Sequence, residues 1–256
     1  FNKIKQKNRR LSKNYISLRS KYASAQEEKL VSIIMPSWNR RSIISKSINS
    51  VLKQSYINYE LIIIDDGSTD GTKEFIKNAY FDQLKTGVIV LLENPHKGVS
   101  YSRNTGLDIA KGDIIAYLDS DNTWDESYLR IMVGELNENL EYVCCYSGLK
   151  IKNYQTGRAE VFFEEYFSYE KLKKGNFIDM NAFIHKAILK DNLGGFDISL
   201  SRLVDWDLLL KYTKDKEPLA VPIAAVNYFL SKELNNITFS ESFDENYSKV
   251  KNKVMT

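Results

Sequence analysis

Soft metal-binding chemistry is almost absent from this chain: its 256 residues include two cysteines and two histidines. Cys144 and Cys145 are adjacent within an apolar run, where a bridge between them would strain the backbone, so both read as reduced core residues. With only His96 and His185 beside them, a thiolate or imidazole centre has too few ligands, and any metal is expected to be hard and oxygen-bound. No apolar run approaches the roughly 20 residues that cross a bilayer, and nothing resembles a secretory signal peptide. The expected compartment is therefore the cytoplasm, although a start at Phe1 rather than methionine is compatible with a piece of a longer protein. Neither GxGxxG nor GxxxxGK followed by Ser or Thr occurs, which argues against a dehydrogenase or a P-loop enzyme.

What is present fits a soluble globular protein, with 43% hydrophobic and 27% charged residues, and excludes collagenous and disordered classes. The net charge of +3 conceals an asymmetry. Residues 1–30 hold nine Lys or Arg against two Glu, so the remainder carries a net −4. In that leader Ile4, Leu11, Tyr15, Leu18 and Tyr22 recur at helical spacing, predicting a cationic helix with one apolar stripe. Such a helix would dock on an anionic membrane or a partner protein, or pack against its own domain. Nucleic acid is not an expected partner, because the basic excess does not extend into the body.

From Val31 strands and helices alternate: a buried strand at Val31 to Trp38, a helix at Arg41 to Gln54, and a strand at Leu61 to Asp66. A helix around Thr72 to Tyr80, a strand at Gly87 to Asn94, a helix at Gly98 to Ala110 and a strand from Asp113 follow. Short connections between such elements predict a mostly parallel, doubly wound α/β sheet with helices on both faces. Beyond Trp124 the expected elements are a helix at Glu126 to Asn139, a strand at Glu141 to Asn153, a helix at Ser201 to Thr213 and a last strand at Ala220 to Leu230. The expected division is a segment 1–30, a domain 31–230 with halves 31–123 and 124–230, and a polar tail 231–256.

Two apolar runs end in acidic loops, Leu61 to Thr72 (LIIIDDGSTDGT) and Asp113 to Trp124 (DIIAYLDSDNTW). Open α/β sheets bind ligands at the carboxyl ends of their strands, so Asp65, Asp66, Asp119 and Asp121 are expected to converge on one crevice. Carboxylates spaced by one residue, as at Asp119 and Asp121, suit Mg²⁺ or Mn²⁺ shared with a substrate phosphate.

MPSWNR, IIIDDGSTDGT, KGVSYSRNTGL, IIAYLDSDNTW, LGGFD and LVDWDLLL together resemble the ordered signatures of the family 2 glycosyltransferases, over roughly Val31 to Leu230. The resemblance implies a GT-A fold, with a nucleotide-sugar-binding half and a smaller acceptor-binding half around one sheet. It implies transfer of a sugar from a nucleoside diphosphate donor, UDP foremost, to a saccharide or glycoconjugate hydroxyl, with inversion, in polysaccharide or glycoconjugate synthesis. Carried over by position, it sets Pro36 and Asn39 beside the nucleotide, Asp65 or Asp66 near the base, and Arg103 near the donor. Asp119 and Asp121 match the metal and sugar-nucleotide motif, Asp121 being the stronger ligand. Asp205 matches the catalytic base. Two positions depart from the family pattern: Asn122 replaces an acid after Asp121, and Val204 replaces a glutamate before Asp205. Two rival readings stand beside this one. Asp119 also fits the nucleophile motif of haloacid dehalogenase phosphatases, and the two departures fit a degenerate, non-catalytic binding module.

Overall fold

The computed structural model describes residues 2–26, 28–153, 159–230 and 243–255. The first half follows the expected alternation, with β1 (Val31–Ser37), β2 (Tyr59–Asp65), β3 (Ile89–Glu93) and β4 (Ile114–Tyr117). They pair in parallel in the order β3-β2-β1-β4. Their connections carry α2 (Ile44–Leu52), α3 (Thr72–Ala79), α4 (Phe81–Thr86) and α5 (Val99–Ile109), following an N-terminal α1 (Asn2–Lys21). Leu61 to Ile64 are all fully buried. Cover on both faces removes any need for polar alternation, which explains the continuous apolar run. Pro36 lies beyond the last β1–β4 pair, Ile34–Tyr117, so its missing N–H takes no bond from that ladder.

The second half continues the same sheet. β8 (Phe183–Lys186) pairs antiparallel with β4 and with β6 (Cys144–Asn153), and β6 pairs in parallel with β9 (Leu219–Leu230). β5 (Thr123–Trp124) borders β9, and β7 (Ala159–Phe162) borders β6. Around them lie α6 (Tyr128–Glu138), α7 (Tyr169–Lys174), α8 (Ile188–Leu193) and α9 (Val204–Tyr212). His185 marks the seam between the halves. It is fully buried, with Nδ1 donating to the Lys186 carbonyl at 2.9 Å and Nε2 accepting from the Tyr117 hydroxyl at 2.8 Å. That pairing needs a neutral ring, and burial pushes its pKa down to about 4. Cys144 and Cys145 are buried free thiols, as expected.

At the N-terminus the structure takes one of the readings left open, a helix packed against its own domain, whereas the C-terminus differs from the expected polar tail. Leu11 and Tyr22 are 1% and 2% exposed. Asn14 donates to the Pro222 carbonyl at 3.1 Å, and the Tyr22 ring lies over Gly134, where a Cβ would meet it at 2.6 Å. The apolar stripe is thus packed against the domain and is not the surface that would enter a membrane, because covering β9 and α6 already buries it. Several of the leader's cations are also paired, as in Arg10–Glu165 at 2.7 Å and Lys21–Glu138 at 2.5 Å. The side chain of Ile4 and residues 231–242 of the expected tail lie outside the described part. The rest of that tail is a helix, α10 (Phe243–Met255). Val250 on it is fully buried and Tyr247 stacks on Trp206 at 5.6 Å, so a four-and-three apolar spacing within a polar composition makes it a packed element.

One glycine decides how closely the first half can pack. A Cβ on Gly106 would lie 2.9 Å from both Ile34 and Ile64, so its absence lets α5 settle directly on β1 and β2. Arg103 sits one turn earlier on the same face. Gly106→Ala is expected to lift this helix and lower stability by about 1–3 kcal/mol despite alanine's better helix propensity. Chemical denaturation checks this, and an unchanged midpoint would contradict the close seating.

Candidate active site

The carboxyl ends of β1, β2 and β4 open into a cavity of about 1310 Å³ whose wall includes Pro36, Asp66, Arg103, Asp119, Asp121 and Asp205. The duplicated aspartates divide their work. Asp66 reaches the wall, its two oxygens accepting from the backbone N–H groups of Lys97 and Gly98 at 2.9 Å each. Asp65 lies behind it, 3% exposed, and one oxygen accepts from the Ser68 amide at 3.0 Å. Gly67 follows at φ +75, where a Cβ would crowd the His96 backbone at 3.0 Å. Asn39 is also outside the wall: in a left-handed conformation (φ 52), its Oδ1 accepts from the Thr69 amide at 2.9 Å. Asn39 and Asp65 therefore shape the loops that Pro36 and Asp66 present.

The chemical centre is built on Arg103. Its guanidinium, 3% exposed, donates from Nη2 to Asp119 at 2.9 Å and from Nη1 to Asp205 in a still shorter bond. Residues separated by about a hundred positions are thus held on two arms of one fork. Leu203, left-handed at φ 62, turns the chain into α9 so that Asp205 enters the first helical turn facing Arg103. Asp207, two residues on, instead accepts from Lys253 of α10 at 2.7 Å. Asn181 completes the hold on Asp119, accepting from its backbone N–H at 2.6 Å and donating to its Oδ2 at 3.0 Å. Asp121 is approached by Arg40 only at 3.8 Å, beyond hydrogen-bond length.

Comparison with known proteins identifies this arrangement. The family model described as glycosyl transferase family 2 matches residues 32–193. The chain belongs to that family. An Escherichia coli protein described as UDP-Glc:alpha-D-GlcNAc-diphosphoundecaprenol beta-1,3-glucosyltransferase is 34% identical over 197 residues, covering 76% of this chain and 74% of its own. A putative teichuronic acid biosynthesis glycosyltransferase of Bacillus subtilis is 36% identical over 118 residues, 46% of this chain and 45% of its own. Among solved structures, S. aureus TarS in complex with UDP-GlcNAc superposes with a TM-score of 0.72 at 18% identity, over 86% of this chain and 64% of that one. The fold is GT-A, as in TarS.

Family membership removes the phosphatase reading. Asp119 follows β4, the fourth strand, whereas a phosphatase nucleophile of that motif opens the sheet on its first. The departures from the family-2 pattern are local substitutions with structural partners. Asn122, 2% exposed, accepts from the Phe229 amide at 3.1 Å, and Val204, 6% exposed, joins the core under α9.

Several wall residues of this glycosyltransferase escaped the sequence reading. Trp38, 37% exposed, stacks on His96 at 4.5 Å between ring centres. Its position after Pro36 in MPSWNR was the available signal. Trp124, in contrast, is a core residue, and Trp206 is 2% exposed although it contributes to the wall; they donate their indole N–H to the carbonyls of Asn181 and Leu172. Asp179 also lines the cavity, from a stretch that carried no readable motif.

The carboxylates strain against one another. Burial, then the charge of Asp119, pushes Asp121 up to about 6 against the opposing pull of Arg40. Burial raises Asp205 above the usual carboxylate range, and Arg103 partly offsets this. Replacing Arg103 by leucine would leave Asp119 and Asp205 without their shared counter-ion. Arg103→Leu is expected to cost about 2 kcal/mol, below the usual penalty for a fully buried pair because both carboxylates touch the cavity. The loss should be larger at pH 8 than at pH 5, since acid protonates an Asp205 whose folded-state pKa would then rise further. Denaturant titrations at the two pH values test the sign; equal losses would remove Arg103 as the restraint.

Proposed function

We propose that the protein transfers a sugar from a UDP-sugar, with inversion, to a hydroxyl of a saccharide carried on a lipid diphosphate, at the inner face of the cell membrane in surface polysaccharide synthesis. The observation that carries this reading is the Arg103 fork, which holds Asp205 beside the Asp119–Asp121 pair in one cavity. Support for the donor and acceptor class comes from the Escherichia coli relative named above and from a second glucosyltransferase of the same description, 43% identical over 96 residues.

The geometry divides the work. The exposed face of Trp38 suits stacking of a base, with Asp66 beside it to accept from ring or ribose hydrogens. Asp119 and Asp121 fit a hard divalent cation, Mn²⁺ or Mg²⁺: both are oxygen donors on the wall, and the pKa of Asp121, raised first by burial and then by the charge of Asp119, marks a carboxylate that a cation would stabilise. Among the described residues no cluster of three or more His, Cys, Asp or Glu could hold a metal, so phosphate and water would complete its shell. Such a cation would neutralise charge on the departing diphosphate. Asp205 takes the proton from the acceptor hydroxyl as it attacks, and its raised pKa makes it a stronger base than an ordinary aspartate. Arg103 keeps that carboxylate aimed while it is ionised.

Incubation with UDP-glucose and other nucleotide sugars, with Mn²⁺ or Mg²⁺, should release the nucleoside diphosphate. Asp121→Ala is expected to abolish both release and donor-induced thermal stabilisation. Asp205→Asn should keep donor binding within a factor of about two while transfer falls by roughly 10²- to 10⁴-fold, the usual worth of a general base. Calorimetry and product assay separate the two effects, and equal loss of binding and transfer in Asp205→Asn would remove it as the base. Donor binding without turnover on any acceptor would favour the non-catalytic module.

A further inference from the structure

Among the described residues, Asp179 is the carboxyl in the cavity wall that the proposed reaction leaves without a task. It precedes a 3-10 turn (Met180–Ala182) that leads into β8, in the half of the molecule that also supplies Asp205. One of its oxygens is fully engaged, with Oδ1 accepting from the Asn181 backbone N–H at 2.9 Å and from the Asn181 side-chain amide at 2.8 Å. The other oxygen has no hydrogen-bond partner in the protein and is not sealed from the cavity. Asn181 is the same residue that fixes Asp119, so Asp179 is held at a set position relative to the donor carboxylates. Burial first, then the charges of Asp119 and Asp205, push its pKa up to about 7. Both charges act on it directly, which places it in the same electrostatic compartment as the base.

We infer that Asp179 is an acceptor-specificity residue, whose free oxygen hydrogen-bonds the ring substituent of the acceptor saccharide beside the hydroxyl that Asp205 deprotonates. This rests on the transferase reading above. The position next to the base that carries a glutamate in the family's motif is Val204 here, which adds only apolar surface to the cavity wall. A second carboxyl facing the acceptor then has to come from another element, and among the described wall residues Asp179 has an oxygen that neither a protein bond nor a role in the proposed reaction occupies. Asp119 is less free, since each of its oxygens already accepts a bond, one from Arg103 and one from Asn181, and Asp121 is assigned above to the cation.

The test compares wild type, Asp179→Ala and Asp179→Asn, with UDP-glucose as donor and an N-acetylglucosaminyl diphosphate bearing a short alkyl chain as acceptor. UDP release without acceptor reports the donor site alone. Failure of wild type to release UDP would overturn the transferase reading itself, before any variant is compared. Given that release, Asp179→Ala is expected to raise the acceptor KM by about 10- to 100-fold, the worth of a hydrogen bond to an ionisable group, with a clearly smaller change in donor KM and acceptor-free release, because the lost Oδ1 also braces Asn181. Asp179→Asn, which can still accept from Asn181 and donate to the cavity, should recover most of that loss. An unchanged acceptor KM would overturn the inference, and so would equal loss of acceptor-free UDP release, which would assign Asp179 to the donor side. Thermal melting of each variant excludes misfolding as the source of the KM change.

Discussion

One buried guanidinium holds the site together. Arg103 is almost wholly removed from water, a state that is tolerable for a cation only when charge and hydrogen bonding compensate it. Asp119 and Asp205 supply both, and in doing so become fixed relative to each other. The reverse dependence is as strong, because burial disfavours the ionised carboxylate at Asp205 and Arg103 opposes that tendency. The fork needs a helix pressed against the sheet, and Gly106 provides the clearance one turn away. It also needs a helix start that turns toward it, which the left-handed Leu203 provides. Backbone features in both halves of the sheet thus serve a single three-residue contact.

The first half was readable because its physics is local. Runs such as Leu61 to Ile64 are unambiguous when both faces of a strand are covered, and the acidic turn after each run names the edge where ligands bind. The pairing of Arg103 with Asp205 was not readable, since nothing in SYSRNTG or LVDWD states that they meet across a hundred residues. Nor could spacing separate Asp65 from Asp66. Adjacent residues at a strand end point in opposite directions, so which one faces the cavity depends on the register of β2 against its neighbours. Asp179 and Asn181 were invisible for a related reason: a short turn whose sequence has no periodicity to detect brings Asp179 to the cavity wall and Asn181 behind it.

The termini teach the opposite lesson. Charge dominates the reading of residues 1–30 and 231–256: it leaves the first open between an outside surface and its own domain, and makes the second a polar tail. Burial is decided by the few apolar residues on one helical stripe, however polar the average. Leu11 and Tyr22 suffice to lay α1 along the second half, and Tyr247 and Val250 to lay α10 against α9. The consequence reaches the site, because Lys253 of α10 bonds Asp207 and Asp197, and the Asn246 side chain accepts from the backbone of Ser201 and Arg202. The loop that ends in Leu203 is therefore braced from outside by a segment whose composition reads as solvent-exposed.

The distribution of hydrogen bonds separates the two carboxylates of the DSD motif. Each oxygen of Asp119 accepts one bond, from Arg103 and from Asn181, which fixes its orientation and leaves fewer lone pairs for a further partner. Asp121 is paired with Arg40 only through space, at 3.8 Å, so its oxygens keep their lone pairs. Its pKa, raised to about 6, means that close to neutrality it is ionised yet poorly compensated. An anion held beside a second anion, with a cation near but not bonded, is poised to gain from any hard positive charge that enters with a diphosphate. That asymmetry, more than the presence of two aspartates, is the physical ground for proposing Asp121 as the stronger ligand of the pair.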